Sequence, residues 1–309
     1  MNKLTKAGIA GLFLSLTAVL ASCGSSNEMS SDTVAVTADV FPVTVGDLTL
    51  DAQPTSIISL SPTATEMLYA IGAGPQVVAV DEYSNYPAEA AALGTPLSGF
   101  EPNIEAISGY SPDLVIISYD PGSLVEQLST LNIPVFVAGA AMSIENVYEQ
   151  IEQLGVLTGN SQKAIEVSQT LQAGIEEAVA SVQFSDPPLS YYYELDNTYY
   201  SVTSNTFIGQ IFNLFGMRNI ADNVESGNDY PQLSAEVIVS ADPDFIFLAD
   251  TKCCAQDATT VAARDGWGGL KALSANQIVE LDDDVASRWG PRVLELITTI
   301  RDAVVSANS

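Results

Sequence analysis

The side chains able to do chemistry are few, and one absence decides more than any presence. The 309-residue sequence contains no histidine. That removes the usual general base, the Ser-His-Asp triad and every metal site that leans on imidazole, including those of zinc or manganese receptors. Glu105 and Glu236 remain as two carboxylates in matching surroundings. Arg288 and Arg292 form a pair in a chain with five arginines, suited to hold an anion or to cap a carboxylate near Asp282-Asp283-Asp284. That run of three Asp reads as a solvated turn rather than a cation site. The adjacent Cys253-Cys254 can close only a strained eight-membered ring. A vicinal disulfide making a flat apolar patch under a ligand is the expected form, with two free thiols or a soft-metal site as the other readings. No nucleophile–base pair is visible and the cysteines lack Cys-x-x-Cys spacing, so an enzyme of related α/β fold is a distant alternative. No cofactor and no catalytic residue is assigned.

The elements that must position these groups occur twice. Pro112-Asp113-Leu114-Val115-Ile116-Ile117 returns as Pro243-Asp244-Phe245-Ile246-Phe247-Leu248, displaced by 131 residues. Upstream, Asn103-Ile104-Glu105-Ala106-Ile107 aligns with Ser234-Ala235-Glu236-Val237-Ile238 at the same offset. Each copy reads as an Asn- or Ser-capped helix with Glu in its first turn, a Pro-Asp turn and a buried strand. A unit used twice predicts two similar α/β lobes, and a cleft between lobes is where small ligands bind.

In chain order, Lys3, Lys6 and the apolar stretch from Ala7 to Leu20 make residues 1–22 a targeting segment too short to span a bilayer. Its end, Leu20-Ala21-Ser22-Cys23, resembles the lipobox of bacterial lipoproteins, which implies lipidation of Cys23. Residues 23–39 read as a Ser-rich flexible tether. An N-terminal lobe is expected over 40–160, starting with a hairpin around Gly46-Asp47. Its strand 56–60 runs into a helix with Pro62 at the first position and a Thr63/Glu66 capping box. That strand-to-helix turn at Ser61 offers free N–H groups at a strand's carboxyl end, where ligands sit in open α/β sheets. The run 144–182 is helical with a break near Gly155 to Asn160, and 161–184 is expected to be one rigid helix bridging to a C-terminal lobe, 185–309. In that lobe Tyr199 to Thr203 is expected to be a strand. With 10 basic and 38 acidic residues the formal charge is −28; such a surface repels phosphate backbones and excludes a nucleic-acid partner.

Ile57-Ile58-Ser59-Leu60-Ser61-Pro62-Thr63-Ala64-Thr65-Glu66, Tyr83-Ser84-Asn85-Tyr86-Pro87, and Asn103-Ile104-Glu105 with Pro112-Asp113-Leu114-Val115 occur here in that order. The chain thereby resembles the substrate-binding lipoproteins of ABC importers for vitamin B12 and ferric siderophores, over roughly residues 41 to 305. The resemblance implies two Rossmann-like lobes with a ligand cleft between them, bridged by one long α-helix. It implies an extracytoplasmic receptor, lipid-anchored to the membrane, that delivers a metal-chelate ligand to an ABC permease dimer with separate ATPase subunits. Glu105 and Glu236 match the positions that dock onto permease arginines, and two carboxylates on a rigid body suit a two-fold partner. Tyr83 matches a Tyr lining the cobalamin pocket, and Phe100 stands where relatives place an aromatic. Tyr199, Tyr200 and Trp289 are the second-lobe candidates, since aromatic walls suit a large planar macrocycle. Anionic siderophores are held by basic clusters; outside Arg288 and Arg292 none is expected near the cleft. A cobalamin-like corrinoid is therefore the expected ligand, with a ferric siderophore or haem as the alternative and a ligand-free surface lipoprotein as a third class.

Overall fold

The Pro-Asp turn recurs because its Asp fastens the central strand of each sheet. Asp113 Oδ2 accepts from Thr55 N at 2.8 Å, Thr55 Oγ1 at 2.9 Å and Ser56 N at 3.1 Å, just ahead of β3 (Ile57–Leu60). Asp244 Oδ2 does the same to Ser190 N at 2.8 Å and Ser190 Oγ at 2.7 Å, at the start of β7 (Ser190–Glu194). Those backbone donors lie at the strand entry, where no ladder bond is available, and a carboxylate satisfies several of them at once.

The computed structural model describes residues 39–308. The targeting segment 1–22, Cys23 and the tether up to residue 38 lie outside the described residues. A hairpin of β1 (Val43–Val45) and β2 (Leu48–Leu50) turns at Gly46, whose φ of +56° suits glycine. The first sheet comprises β3, β4 (Val77–Val80), β5 (Leu114–Ile117) and β6 (Val135–Val137), all parallel, in the order β4-β3-β5-β6. The second comprises β7, β8 (Arg218–Asn219), β9 (Phe245–Leu248) and β10 (Ile278–Glu280), also parallel, in the order β8-β7-β9-β10. The two orders are the same, so the internal repeat is one topology used twice. In each, the chain leaves the second strand in the row, first to one side and then to the other. That reversal opens a crevice at the strands' carboxyl ends.

Strands β3, β5, β7 and β9 are buried throughout and rich in apolar residues, as sheets covered on both faces must be. The helix Ile144–Thr158 ends at Gly159 (φ +72°), and Ser161–Ala180 follows, 20 residues long and about 30 Å by its rise. The last helix, Val293–Ala307, crosses it at Gly174: a Cβ there would meet Leu294 Cδ2 at 2.7 Å. One buried cluster runs through both halves, from Met67 and Ile116 to Phe212 and Phe247, so the lobes share a core behind the cleft. No helix among the described residues is long and apolar enough to cross a membrane.

Three local expectations are corrected. Tyr199 to Thr203 is not a strand. Only an isolated antiparallel bridge joins Tyr200 to Gln232, and Tyr199 has φ +72°, which no strand accepts. The helix Pro62–Ala70 is capped by Ser61, whose side chain accepts from Ala64 N at 3.3 Å, not by Thr63 with Glu66, because Glu66 is drawn to arginines of the other lobe. Asp282 is the N-cap of a short helix, Asp283–Ser287, where a turn was expected.

Candidate functional site

A cavity of about 420 Å³ opens where β3, β4 and β5 end and where the segment after β10 meets them. Leu60-Ser61, Asp81 and Ser118-Tyr119 supply the strand ends, and Asp284, Ser287, Arg288 and Trp289 supply the opposite wall. It is thus the crevice that the strand order dictates, lined from both lobes.

One wall is aromatic. The Tyr83 and Phe100 rings meet edge to face at 5.6 Å and 84°, and Phe100 lies 6.3 Å from Tyr119. These three are 54%, 63% and 44% exposed, so their faces are offered to whatever enters. Trp289 lines the cavity from the second lobe and donates Nε1–H to Gln150 Oε1 at 3.1 Å, which fixes its ring. Ser61 lines the cavity too, but its oxygen is spent as the helix cap.

Arg288 lines the cavity without being free in it. Its Nη1 donates to Glu66 Oε1 (2.8 Å) and Asn85 Oδ1 (2.9 Å), and its Nη2 donates to the Tyr83 carbonyl (3.0 Å) and Asp284 Oδ1 (2.7 Å). Arg292 forks onto Glu66 through Nε at 2.9 Å and Nη2 at 2.6 Å, with its guanidinium 4.3 Å over the Tyr86 ring. The expected anion clamp is therefore a structural staple, and its carboxylate is Glu66 of the first lobe rather than the Asp282-Asp283-Asp284 run alone. Those three Asp hold Lys252, Arg288 and the amides of Lys252 and Cys253. A larger cavity of about 1130 Å³ lies on the other side of Glu66 and Arg292, against the last helix. None of the ligand residues expected from sequence lines it.

Tyr199 and Tyr200 do not join the cavity. Tyr199 stacks on Trp267 at 5.7 Å and 27°, with Arg264 above it at 5.4 Å, inside a satellite core of the second lobe. Arg264 is itself forked onto the fully buried Glu194 at 2.7 and 2.5 Å. Burial and the neighbouring Glu194 charge push the Asp250 carboxyl up to about 7. Cys253 and Cys254 have their sulfurs 2.6 Å apart, and neither lines the cavity. The pair therefore lies outside the lining of this cavity, where the expected patch was to sit under a ligand. Burial and the Cys254 neighbour push the Cys253 thiol up to about 12.

Glu105 and Glu236 sit second in the helices Ile104–Gly109 and Ala235–Ala241, capped by Asn103 and Ser234. Both are exposed. The Glu236 carboxyl is lowered by its own backbone amide and by Ser234, so it is ionised at neutral pH. Sequence reasoning missed Tyr119 and Asp81. The signal was available: both follow the last residues of apolar strands, at the carboxyl ends that face the crevice.

The sequence profile described as periplasmic binding protein matches residues 57–285. The chain is 28% identical to the uncharacterized ABC transporter substrate-binding lipoprotein YvrC of Bacillus subtilis, over 97% of each chain. It is 32% identical to the cobalamin-binding protein of Halobacterium salinarum, over 85% of this chain and 74% of that one. Among solved structures, the periplasmic vitamin B12 binding protein BtuF of Vibrio cholerae superposes with a TM-score of 0.68 at 26% identity, covering 83% of this chain and 99% of that one. Doubled sheet topology, crevice and profile agree: the chain belongs to the periplasmic binding protein family.

Proposed function

We propose that the protein is the extracytoplasmic substrate receptor of an ABC importer, and that its ligand is a cobalamin-like corrinoid taken up in the cleft between the lobes. The observation that carries this reading is the pairing of an exposed aromatic wall, Tyr83-Phe100-Tyr119, with an arginine whose charge is already spent. Large flat apolar faces bury area at low entropic cost. Arg288, committed to Glu66 and Asp284, has no charge left over for an anionic chelate. Ligand residues are then Tyr83, Phe100, Tyr119 and Trp289, with Ser61 and Arg288 shaping the floor rather than gripping the ligand.

Residues 40–160 and 185–309 act as the two lobes, and 161–184, helical over Ser161–Ala180, bridge them. Glu105 and Glu236, one per lobe on equivalent capped helices, dock on cationic sites of the two-fold permease, whose ATPase subunits drive uptake. Cys23 carries the lipid that holds the receptor at the membrane. The protein itself does no chemistry: capture and delivery need only binding energy.

Isothermal titration of the soluble protein, started after Cys23, tests the ligand. Cyanocobalamin is expected to bind with sub-micromolar Kd. Binding of a ferric hydroxamate or haem instead would keep the receptor role and replace the ligand.

A further inference from the structure

The cavity of about 1130 Å³ behind Glu66 and Arg292 is walled by both lobes. Tyr69, Pro75, Tyr86 and Pro87 come from the first lobe, Pro291 and Leu294 from the second. Most of this wall is apolar or aromatic, and its two rings are held from behind. Tyr69 packs directly on Gly74, where a Cβ would stand 2.7 Å from Cδ1 and 2.8 Å from Cε1 of the ring. Tyr86 carries the Arg292 guanidinium on one face, 4.3 Å from the ring centroid, and the rest of the side chain is open, at 46% exposure.

The charges at this cavity are lopsided. Glu66, Glu89 and Glu295 line it against a single cation, Arg292, so three carboxylates and one guanidinium leave a net charge of −2. Arg292 is already spent: it forks onto Glu66 at 2.9 and 2.6 Å, and Glu295, one turn along the same helix, acts on it as well. Glu89 and Glu295 are exposed. Among the described residues neither side chain is engaged in a hydrogen bond or salt bridge. Burial and the Glu89 charge raise the Tyr69 phenol, so that carboxylate acts on the cavity where the ring stands.

These features sort the possible guests. An anion meets a net negative lining with no free cation to hold it. A neutral apolar guest fills the walls but takes water from the carboxylates without compensation. A hard metal ion needs several oxygens at close range, and rings and prolines supply none. An organic cation answers both halves of the site, because a weakly hydrated ammonium charge is attracted by ring faces as well as by carboxylates.

We propose that this cavity is a second binding site, for a quaternary or tertiary ammonium ion whose apolar substituents pack on Tyr69, Tyr86 and the prolines and whose charge is balanced by Glu89 and Glu295. The Glu66–Arg292 pair separates it from the cleft, so it stands or falls independently of the corrinoid reading. Because both lobes supply its walls, a bound cation bridges them.

Choline and 3,3-dimethylbutanol test the charge, since the two differ only by a nitrogen in place of a carbon. Ligand-observed NMR titrations use the soluble protein started after Cys23, in phosphate buffer free of other organic cations and with about 0.15 M NaCl to screen the remaining surface. Choline is expected to bind about tenfold tighter than its neutral isostere. Glu89→Gln with Glu295→Gln, two changes at exposed side chains, is expected to cost choline about tenfold and to leave the isostere unaffected. Choline is also expected to raise the thermal midpoint of the wild type and much less that of the double variant, as a guest of the folded state must. Equal affinity for the two probes overturns the proposal, as does choline affinity unchanged in the double variant, which would place the cation elsewhere on the acidic surface. Absence of saturable choline binding overturns it too.

Discussion

Arg288 Nη1 stands 2.8 Å from Glu66 Oε1, joining residues 222 apart in sequence and buried in both lobes. The same guanidinium holds the Tyr83 carbonyl and the Asn85 side chain. The second lobe therefore sets the position of the loop that carries the first lobe's aromatic wall. Ligand geometry and lobe packing are one structural problem here.

Breaking that staple is expected to cost stability. Arg288→Ala leaves Glu66 still held at two points by Arg292, so the loss is expected to fall below the about 3–5 kcal/mol of a buried charge left without any partner. Chemical denaturation should show it as a lowered midpoint, and corrinoid affinity should fall with it as the Tyr83 loop loosens. A midpoint equal to wild type would mean that the shared core alone holds the lobes together.

Truncating the aromatic wall should act on binding without unfolding the protein. Tyr83 and Phe100 are more than half exposed, so their replacement by Ala removes little packing. Each is expected to weaken cyanocobalamin binding by about 1–2 kcal/mol, the range of an interface aromatic of ordinary weight. Tyr199→Ala should do the reverse, lowering thermal stability through Trp267 while leaving affinity nearly intact.

Stability is expected to decline as pH rises from acid toward neutral. Asp250 titrates at about 7 in the fold and near 3.9 when unfolded. Between those values the native state holds more protons than the unfolded one, so the unfolding free energy falls with rising pH. The full effect is at most about 4 kcal/mol, from about 1.36 kcal/mol per unit. Asp81, which burial also raises, acts in the same direction, so Asp250→Asn should remove only part of the slope. Asp113, Asp282, Asp283 and Asp284, all lowered, contribute stability present above their unfolded range and lost only as pH falls further. Denaturation midpoints measured across this window check the sign.

Charge reversal at Glu105 and Glu236 should uncouple capture from delivery. Both side chains are exposed and lie outside the cleft, so Glu105→Lys with Glu236→Lys is expected to leave the ligand Kd unchanged. Uptake by cells or permease-containing vesicles should drop by about tenfold or more, as like charges meet across the interface. Unimpaired uptake would place docking elsewhere.

Much of this protein was legible in the chain because the signals are local. The offset of 131 residues between the Pro-Asp copies, the four buried apolar strands, the glycine that breaks the long helical run and the caps ahead of Glu105 and Glu236 each depend on neighbours a few positions away. They determined two like lobes, a crevice at the strand ends and some of the residues that open onto it, Tyr83, Phe100 and Trp289 among them. What each polar residue does there was decided only by the tertiary structure. Arg288 looks like an anion clamp until Glu66, Asn85 and Asp284 converge on it. Tyr199 looks like a cleft aromatic until Trp267 and Arg264 enclose it. Charge and hydrogen-bond balance are sums over groups brought together by folding, so they are fixed only when distant segments meet.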